Sequence, residues 1–324
     1  MDRQLATHGI DTVLIDPGTG LLNPLAARGT VLAALDPLRA LRVVVSHRRA
    51  DIVVSVFESA ALPLSLLRSI TRFRVPVVLW DLGLGGAWRL REHILDWVVP
   101  RVQGIFVLSA SQKDHIETHW GRRHGVEILG HSIDTEFFRP TEFPSPASIL
   151  AVGEDIGRDF ATLLAAAPGI DASIILKTRR VPAGEALPRN VTVVRERVSH
   201  SELRNLYAAS RIVVAPLLQT LNASGVSTIL EAGAMGRALV VSDNPAIRDF
   251  ITPGETCLLV PPGDSVALQA AVTRLLREPE TCFQLGRNAR RFVEQHCALP
   301  AFADRFAKLL WRYSRHGNGG GQSG

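Results

Sequence analysis

The stretch that decides the fold of this chain is Asn222-Ala223-Ser224-Gly225-Val226-Ser227-Thr228-Ile229-Leu230-Glu231-Ala232-Gly233-Ala234-Met235-Gly236. It follows the apolar run 212–216, which has the composition of a buried strand, and its own apolar residues recur at helical spacing from Val226 onward. The order is strand, loop, helix. The start of such a helix has free N–H groups and a positive dipole end, so it attracts an anion.

Two features of this stretch predict a nucleotide site. Its loop residues Ser224, Gly225 and Ser227 are small enough to let a diphosphate approach the backbone. Glu231 stands about 7.5 Å along the helix axis from Val226 and shares a face with Ser227 one turn earlier. A carboxylate there can accept hydrogen bonds from a ribose diol. The alternative on the local pattern is an ordinary strand-to-helix turn with a solvated glutamate.

The composition sets broad limits. The chain has 324 residues, 46% of them hydrophobic and 21% charged, which suits two domains of ordinary size. A net charge of +5 suits anionic ligands such as nucleotides or lipid headgroups. Three cysteines without metal-like spacing indicate a reducing cytoplasm and a structural role. Because no run of about 20 apolar residues and no signal core is found, we predict a cytoplasmic protein.

Helix-like and strand-like runs alternate along most of the chain, which favours parallel strands joined by crossover helices. The segment 1–20 begins abruptly, so either 12–16 serves as the first strand or the chain starts inside a domain. Turn residues and prolines concentrate at 131–148, and the domain junction is predicted there. The further candidate strands are 42–46, 51–57, 76–80, 104–108, 148–152, 173–176, 191–194, 211–215, 238–241 and 257–260.

At this point the sequence resembles the family-4 glycosyltransferases, which are nucleotide-sugar enzymes with two facing Rossmann-like domains (the GT-B architecture). Four pieces in matching order carry the resemblance, namely 133–140, 152–160, 222–236 and 254–264. It is specific over about 105–300 and weak over the first 100 residues. The fold class implied is α/β, with a last helix that crosses back to the first domain.

The resemblance also implies domain limits. These are 1–140 for an acceptor-side domain, 141–298 for a donor-binding domain, 299–315 for the crossover helix and 316–324 for a disordered tail.

The resemblance implies roles for several residues of the second domain. Glu231 would hold the donor ribose, while the loop 223–227, including Ser224, Gly225, Val226 and Ser227, would face the diphosphate through its N–H groups. Arg158 would neutralise the same diphosphate; alternatively it pairs with Asp155 or Asp159 at the surface. Lys177 would add positive charge near the diphosphate or lie at the edge of the nucleobase. Alternatively it belongs to a solvated loop. Arg197 lies in the turn where the family accommodates the nucleobase.

The chain also departs from the family pattern. Ala223 stands where a glutamate usually contacts the donor sugar, so Asn222 or the amides around Ser224 are predicted to supply that contact. Glu154 replaces a frequent arginine and weakens the basic cradle. In the first domain Asp81 stands where the family often has a histidine, and it would orient an acceptor hydroxyl or the donor sugar, or else cap the following turn. His131, Glu58 and His93 are weaker candidates.

The function that follows is a retaining, metal-independent glycosyltransferase in which the leaving diphosphate itself takes the acceptor proton. The donor would be a UDP- or GDP-type sugar with no cofactor, and the acceptor a glycan, a lipid-linked or a small molecule; nucleic acid is not a predicted partner. Residues 88–101 would rest peripherally on the inner face of the membrane, or form a helix packed on its own sheet. The rival hypotheses are a nucleotide-sugar epimerase and a non-catalytic nucleotide-sugar-binding protein.

Overall fold

The computed structural model describes residues 1–15, 37–56, 58–80 and 89–317. The chain divides into two compact units. Unit 1 comprises Met1–Gly130 and Ala303–Gly324, and unit 2 comprises His131–Phe302. Each unit has one parallel sheet, as predicted for this fold class.

The strands within the described residues are β1 Val53–Val56, β2 Val77–Trp80, β3 Gly104–Val107, β4 Val126–Ile128, β5 Ser148–Val152, β6 Ser173–Lys177, β7 Val191–Val194, β8 Ile212–Ala215, β9 Ala238–Ser242 and β10 Leu258–Val260. The α-helices there are α1 Asp2–Ala6, α2 Pro37–Ser46, α3 Glu58–Ile70, α4 Arg89–Val98, α5 Ala110–His119, α6 Phe160–Ala166, α7 His200–Ala208, α8 Val226–Ala234, α9 Ser265–Arg277, α10 Pro279–His296 and α11 Leu299–Tyr313.

Unit 1 has a four-stranded sheet in the order β1-β2-β3-β4. The central strand β3 is buried along its whole length, which explains its uninterrupted apolar sequence. The last helix of the chain, α11, packs on this sheet. The Phe306 ring lies 5.2 Å from that of Trp80 and 6.2 Å from that of Phe106, centroid to centroid. The helix thus returns to the unit that holds the N-terminal part of the chain.

Unit 2 has a six-stranded sheet in the order β10-β9-β8-β5-β6-β7, and every pair is parallel. Its core is formed by apolar side chains of these strands and of α6 and α9. The strand order reverses between β5 and β8, which are neighbours in the sheet. In open parallel sheets ligands bind beyond the carboxyl ends of the strands at such a reversal. The loops that follow β5 and β8 therefore meet where a ligand site is expected.

Some predicted elements differ from the structure. The segment 42–46 was predicted as a strand because of Val43, Val44 and Val45, but it lies in α2, where helical spacing buries Ala40, Val43 and Val44 together. The described part of the predicted strand 12–16, residues 12–15, has no strand partner, and Asp16 lies outside the described residues. The short strand β4 was not predicted.

The segment 131–140 belongs to unit 2, whereas the sequence predicts a first domain that extends to residue 140. Hydrogen bonds to the rest of unit 2 explain the difference. Ile133 N–H donates to the Cys297 carbonyl (2.9 Å), and Leu299 N–H donates to the Ile133 carbonyl (3.1 Å). Arg290 Nη1 donates to the carbonyls of Thr135 (3.2 Å) and Phe138 (2.8 Å). Unit 1 accordingly ends at Gly130. Of the tail 316–324, only residues 316 and 317 are described.

The segment 88–101 contains α4. Its residues Ile94, Leu95 and Val98 are buried, while Glu92 and Asp96 are exposed. This pattern favours the alternative prediction of a helix packed on its own sheet. None of the helices within the described ranges has both the length and the apolar character needed to cross a membrane.

Candidate functional site

Two loops of unit 2 are held together at the carboxyl ends of β5 and β8. Asp159 N–H donates to the Pro216 carbonyl (2.9 Å), and Leu218 N–H donates to the Gly157 carbonyl (2.8 Å). Gly157 also packs so closely on the second loop that a Cβ atom would lie 2.1 Å from Ser224 Oγ. Glycine is therefore required at position 157, and the two loops form one surface.

Helix α8 opens onto this surface. Gly225 precedes its first residue with φ 86°, in the left-handed region, and no side chain caps the helix. A Cβ atom at this position would lie 2.8 Å from Leu217 Cδ2, so glycine satisfies both the backbone conformation and the packing. The N–H groups of the first helical turn lack intrahelical acceptors. The sequence-predicted loop with Ser224, Gly225, Val226 and Ser227 thus lies at a helix start.

Arg158 is the cation of this surface, and its side chain is only 4% exposed. Its Nε donates to Asp155 Oδ2 (2.7 Å), and its Nη2 donates to Thr228 Oγ1 (2.9 Å). Nη1 is buried and makes no hydrogen bond within the described part of the chain. It lies 3.6 Å from the position that a Cβ atom of Gly225 would take. A donor without a partner among the described residues therefore lies beside the start of α8.

Asp155 orients this arginine. Burial raises the pKa of Asp155, but the charge of Arg158 and hydrogen bonds from Arg158, Ser224 and Gly157 lower it more, so the pKa lies below its ordinary value. The predicted pairing of Arg158 with Asp155 is therefore present, yet it uses only one edge of the guanidinium. The other alternative partner, Asp159, instead caps α6 by accepting from Thr162 N–H (3.1 Å).

Glu231 lies near Arg158 along α8. Burial raises the pKa of Glu231 to about 7, against the lowering effects of a hydrogen bond from Tyr207 and the charge of Arg158. The Tyr207 hydroxyl donates to Glu231 Oε2 at 2.7 Å. Burial and the charge of Glu231 raise the pKa of Tyr207 well above its ordinary value, so the tyrosine retains its proton. One carboxylate oxygen of Glu231 is thereby held in place.

Lys177 lies at the end of β6 and is already paired. Its Nζ lies 2.9 Å from Glu154 Oε1, while Glu154 Oε2 accepts from the backbone N–H of Arg179 (3.1 Å). Burial raises the pKa of Glu154, but the bonds to Lys177 and Arg179 lower it below its ordinary value. Glu154 therefore neutralises Lys177 in this structure.

The remaining predicted residues lie at different places. Asn222 is half-buried in the loop before α8, where its carbonyl accepts from Thr220 Oγ1 (3.4 Å). Arg197 is exposed and lies in the loop before α7. Asp81 lies outside the described residues. The structure thus brings Arg158, the helix start and Glu231 together, with Lys177 held by Glu154 at the neighbouring strand end.

Three residues that contact Arg158, Glu231 or Ser227 were not predicted to do so from the sequence, namely Thr228, Tyr207 and His131. Thr228 precedes Glu231 by three residues on the same helix face, so helical spacing could have found it. No local pattern links Tyr207 of α7 to Glu231. His131 was ranked low, yet its Nε2 lies 3.5 Å from Ser227 Oγ.

Comparison with known proteins gives matches of sequence and matches of fold. Residues 158–278 match the family model described as Glycosyl transferases group 1. Among curated proteins, the MMP alpha-(1->4)-mannosyltransferase of Mycolicibacterium hassiacum is 28% identical over 202 residues, which are 58% of this chain and 48% of that relative. The match therefore spans about half the length of the curated relative.

Solved structures extend the likeness to more than nine tenths of the chain. Sucrose-phosphate synthase from Thermosynechococcus elongatus has a TM-score of 0.73 at 20% identity, covering 93% of this chain and 82% of that one. HepE of Anabaena in complex with UDP-glucose has a TM-score of 0.71 at 16% identity, covering 95% and 88%. At such identities the likeness shows the fold.

The comparison of folds and the comparison of sequences agree. The chain has the fold of the GT-B glycosyltransferases, and its second unit contains the segment that the group 1 model describes. The resemblance to family-4 glycosyltransferases that the sequence predicted is confirmed.

Proposed function

We propose that this chain is a glycosyltransferase that moves a sugar from a nucleotide-diphosphate donor, of UDP or GDP type, to a glycan, lipid-linked or small-molecule acceptor. The proposal extends to a retaining, metal-independent reaction without a cofactor. It places the protein in the cytoplasm.

The observation that carries the proposal is the unsatisfied Nη1 of Arg158 at the uncapped start of α8. A buried N–H group without a partner is costly, and a phosphate oxygen would satisfy it. Glu231 lies on the same helix, where its free carboxylate oxygen can accept from a ribose hydroxyl. These groups suit a nucleoside diphosphate, which has negative charge at one end and a diol at the other.

The proposed mechanism follows from where charge develops. As the bond to the sugar breaks, negative charge accumulates on the leaving diphosphate, and the fixed donors of Arg158 and α8 stabilise it. The acceptor hydroxyl loses its proton to a diphosphate oxygen on the same face of the sugar. No protein nucleophile is needed, and the protein contributes positioning and charge stabilisation.

The comparisons support the donor class. The mannosyltransferase relative and the UDP-glucose complex of HepE both concern sugar transfer or nucleotide sugars by their names. Asp81 is proposed to orient the acceptor hydroxyl or the donor sugar. A peripheral membrane contact for a lipid-linked acceptor stays a prediction, and because Ile94, Leu95 and Val98 of α4 are buried, such a contact would need other residues.

A second candidate function is a nucleotide-sugar-binding protein without transfer activity. The bond between Glu154 and Lys177 favours it, because this carboxylate removes a cation from the donor side. Ala223 favours it too, because alanine cannot make the polar sugar contact of the glutamate that the family usually has there.

The first test is a thermal-shift screen with UDP, GDP and their common sugars, since a ligand of the native state raises the unfolding midpoint. We expect a shift with one base that is lost in Glu231→Ala. Release of the nucleoside diphosphate with an acceptor mixture, unchanged by EDTA, would then establish metal-independent transfer. Binding without release would favour the non-catalytic protein, and turnover of the donor without any acceptor would favour an epimerase. The absence of any shift would overturn the proposal.

A further inference from the structure

His131 lies beside the start of α8, although it comes from the chain segment that opens unit 2. Its ring Nε2 is 3.5 Å from Ser227 Oγ, at the long limit of a hydrogen bond. Ser227 is exposed in the first helical turn. The proposed diphosphate site therefore has a second side, formed by His131 and Ser227.

The backbone fixes which ring nitrogen of His131 holds the proton. Ser132 N–H donates to His131 Nδ1 at 2.7 Å, so Nδ1 is an acceptor without a proton. In a neutral imidazole the proton then resides on Nε2. Burial lowers the pKa of His131, which supports the neutral ring. The ring thus presents an N–H group to the start of α8.

The position of this ring is well anchored. Ile133, two residues further on, exchanges backbone bonds with Cys297 and Leu299 on either side of Ala298. The Asp134 carboxylate accepts from the backbone N–H groups of Glu136 (3.0 Å) and Phe137 (2.9 Å). The segment therefore holds His131 at α8 without help from a ligand.

We propose that His131 Nε2–H and the Ser227 hydroxyl form a pair of donors to the diphosphate of the nucleotide donor. This inference rests on the proposed function and adds a residue to the same site. The helix start and the buried free Nη1 of Arg158 indicate independently that an anion belongs there. A neutral N–H donor suits this position because it stabilises the leaving diphosphate while leaving the diphosphate oxygens free to accept the acceptor proton.

Two substitutions of His131 distinguish the role of ring nitrogen Nδ1 from that of Nε2. His131→Asn keeps an acceptor near the place of Nδ1 and removes the donor at Nε2. His131→Gln can place its amide N–H near the place of Nε2. The measurement is titration calorimetry of the full chain with UDP and GDP, and with uridine and guanosine as ligands that lack phosphate. Thermal unfolding without ligand checks that each variant is folded.

We expect His131→Asn to weaken binding of the preferred nucleoside diphosphate by about tenfold, as for the loss of one hydrogen bond to a charged group. His131→Gln should retain most of the affinity, and nucleoside binding should not change in either variant. If His131→Asn does not fold, Ser227→Ala tests the same donor pair and should weaken diphosphate binding similarly.

Three results would overturn the inference. Diphosphate affinity of folded His131→Asn could equal that of the unsubstituted chain while Glu231→Ala loses it, which would leave the proposed function standing. Nucleoside and diphosphate affinities could fall in equal proportion, which would show a structural role. If the unsubstituted chain binds neither UDP nor GDP, the proposed function fails and this inference fails with it.

Discussion

Arg158 combines a fixed guanidinium with an incomplete set of hydrogen bonds. Asp155 and Thr228 accept from Nε and Nη2, while Nη1 is buried and has no acceptor within the described part of the chain. Leaving such a donor unsatisfied costs about 1–3 kcal/mol. Under the proposed function an anion would complete the set, so ligand affinity and local stability would depend on the same side chain.

We expect Arg158→Ala to weaken binding of UDP or GDP by about 10- to 100-fold, because a charge-assisted pair of hydrogen bonds is lost. Titration calorimetry gives the affinity. Arg189→Ala is the matched control, because Arg189 is exposed just before the amino end of β7, whereas the candidate site lies at the carboxyl ends of the strands. Equal affinities for Arg158→Ala and Arg189→Ala would contradict the assigned role.

Glu231 should make the stability of the protein depend on pH. Its pKa rises from 4.5 to about 7 on folding, so between these values the native state binds more protons than the unfolded state. Stability therefore falls as the pH rises through this window. Glu231→Gln removes this titration. The unfolding free energy of the variant minus that of the unsubstituted chain should therefore increase from pH 4.5 to pH 7. Urea unfolding at several pH values measures it; a constant difference would refute the shift.

How far the site follows from sequence depends on where each partner lies. Glu231 could be named because it stands at a fixed offset from a helix start, and Arg158 because the family resemblance implies a basic residue in the loop after the first strand of this domain. Tyr207 could not be named, because its contact with Glu231 depends on how α7 packs beside α8. The residue spacing within either helix does not predict that packing. The partner of Lys177 was missed for a similar reason, since Glu154 follows a different strand.

At the scale of elements, burial decided where propensity was ambiguous. The run Val43-Val44-Val45 has high β-propensity, but the helix α2 buries two of these residues with Ala40, and the packing outweighs the propensity. The strand β4 was missed because it has three residues and pairs only with β3 at the sheet edge. By contrast, β5 and β8 have apolar runs bounded by loop residues, and their predicted limits, 148–152 and 211–215, agree closely with the structure.

Gly286 shows how closely two elements of unit 2 approach each other. It lies within α10, and a Cβ atom there would be 2.1 Å from the Gly236 carbonyl oxygen. Replacing glycine by alanine usually stabilises a helix interior by about 1 kcal/mol. Here we expect the opposite, a loss of about 1–3 kcal/mol, because a backbone must move. Urea unfolding followed by far-UV circular dichroism measures it.

The control for that substitution is Gln284→Ala, an exposed position of the same helix. It should change stability by less than about 0.5 kcal/mol. If Gly286→Ala were more stable than the unsubstituted chain, the close packing of α10 against Gly236 would be wrong.

At the scale of the whole molecule, the sequence predicted two α/β units and a last helix that returns to the first. It missed the limit of the first unit by ten residues, because bonds from 131–140 to α10 join positions about 150 residues apart. Local turn signals mark where a chain bends, but they do not record which unit a connecting segment packs on. Such contacts become evident only in the folded molecule.

Unit 1 can be probed separately because all five tryptophans of the chain lie in its sequence and none in 131–302. Phe306→Ala removes a buried ring from its core, and we expect the unfolding transition seen by tryptophan fluorescence to lose about 3–5 kcal/mol. Phe250→Ala, which removes an equally buried ring from unit 2, should leave that transition unchanged. Identical effects of the two substitutions on fluorescence would disprove separate cores.

The ion pair between Glu154 and Lys177 affects which anions could bind at the neighbouring strand ends. Any anion that reaches Lys177 competes with a carboxylate that is already seated there. A ligand with a single negative charge would exchange one ion pair for another and gain little. If the proposed donor site is correct, we expect a ligand with two or more charges to displace Glu154 from Lys177 more readily than a singly charged ligand does.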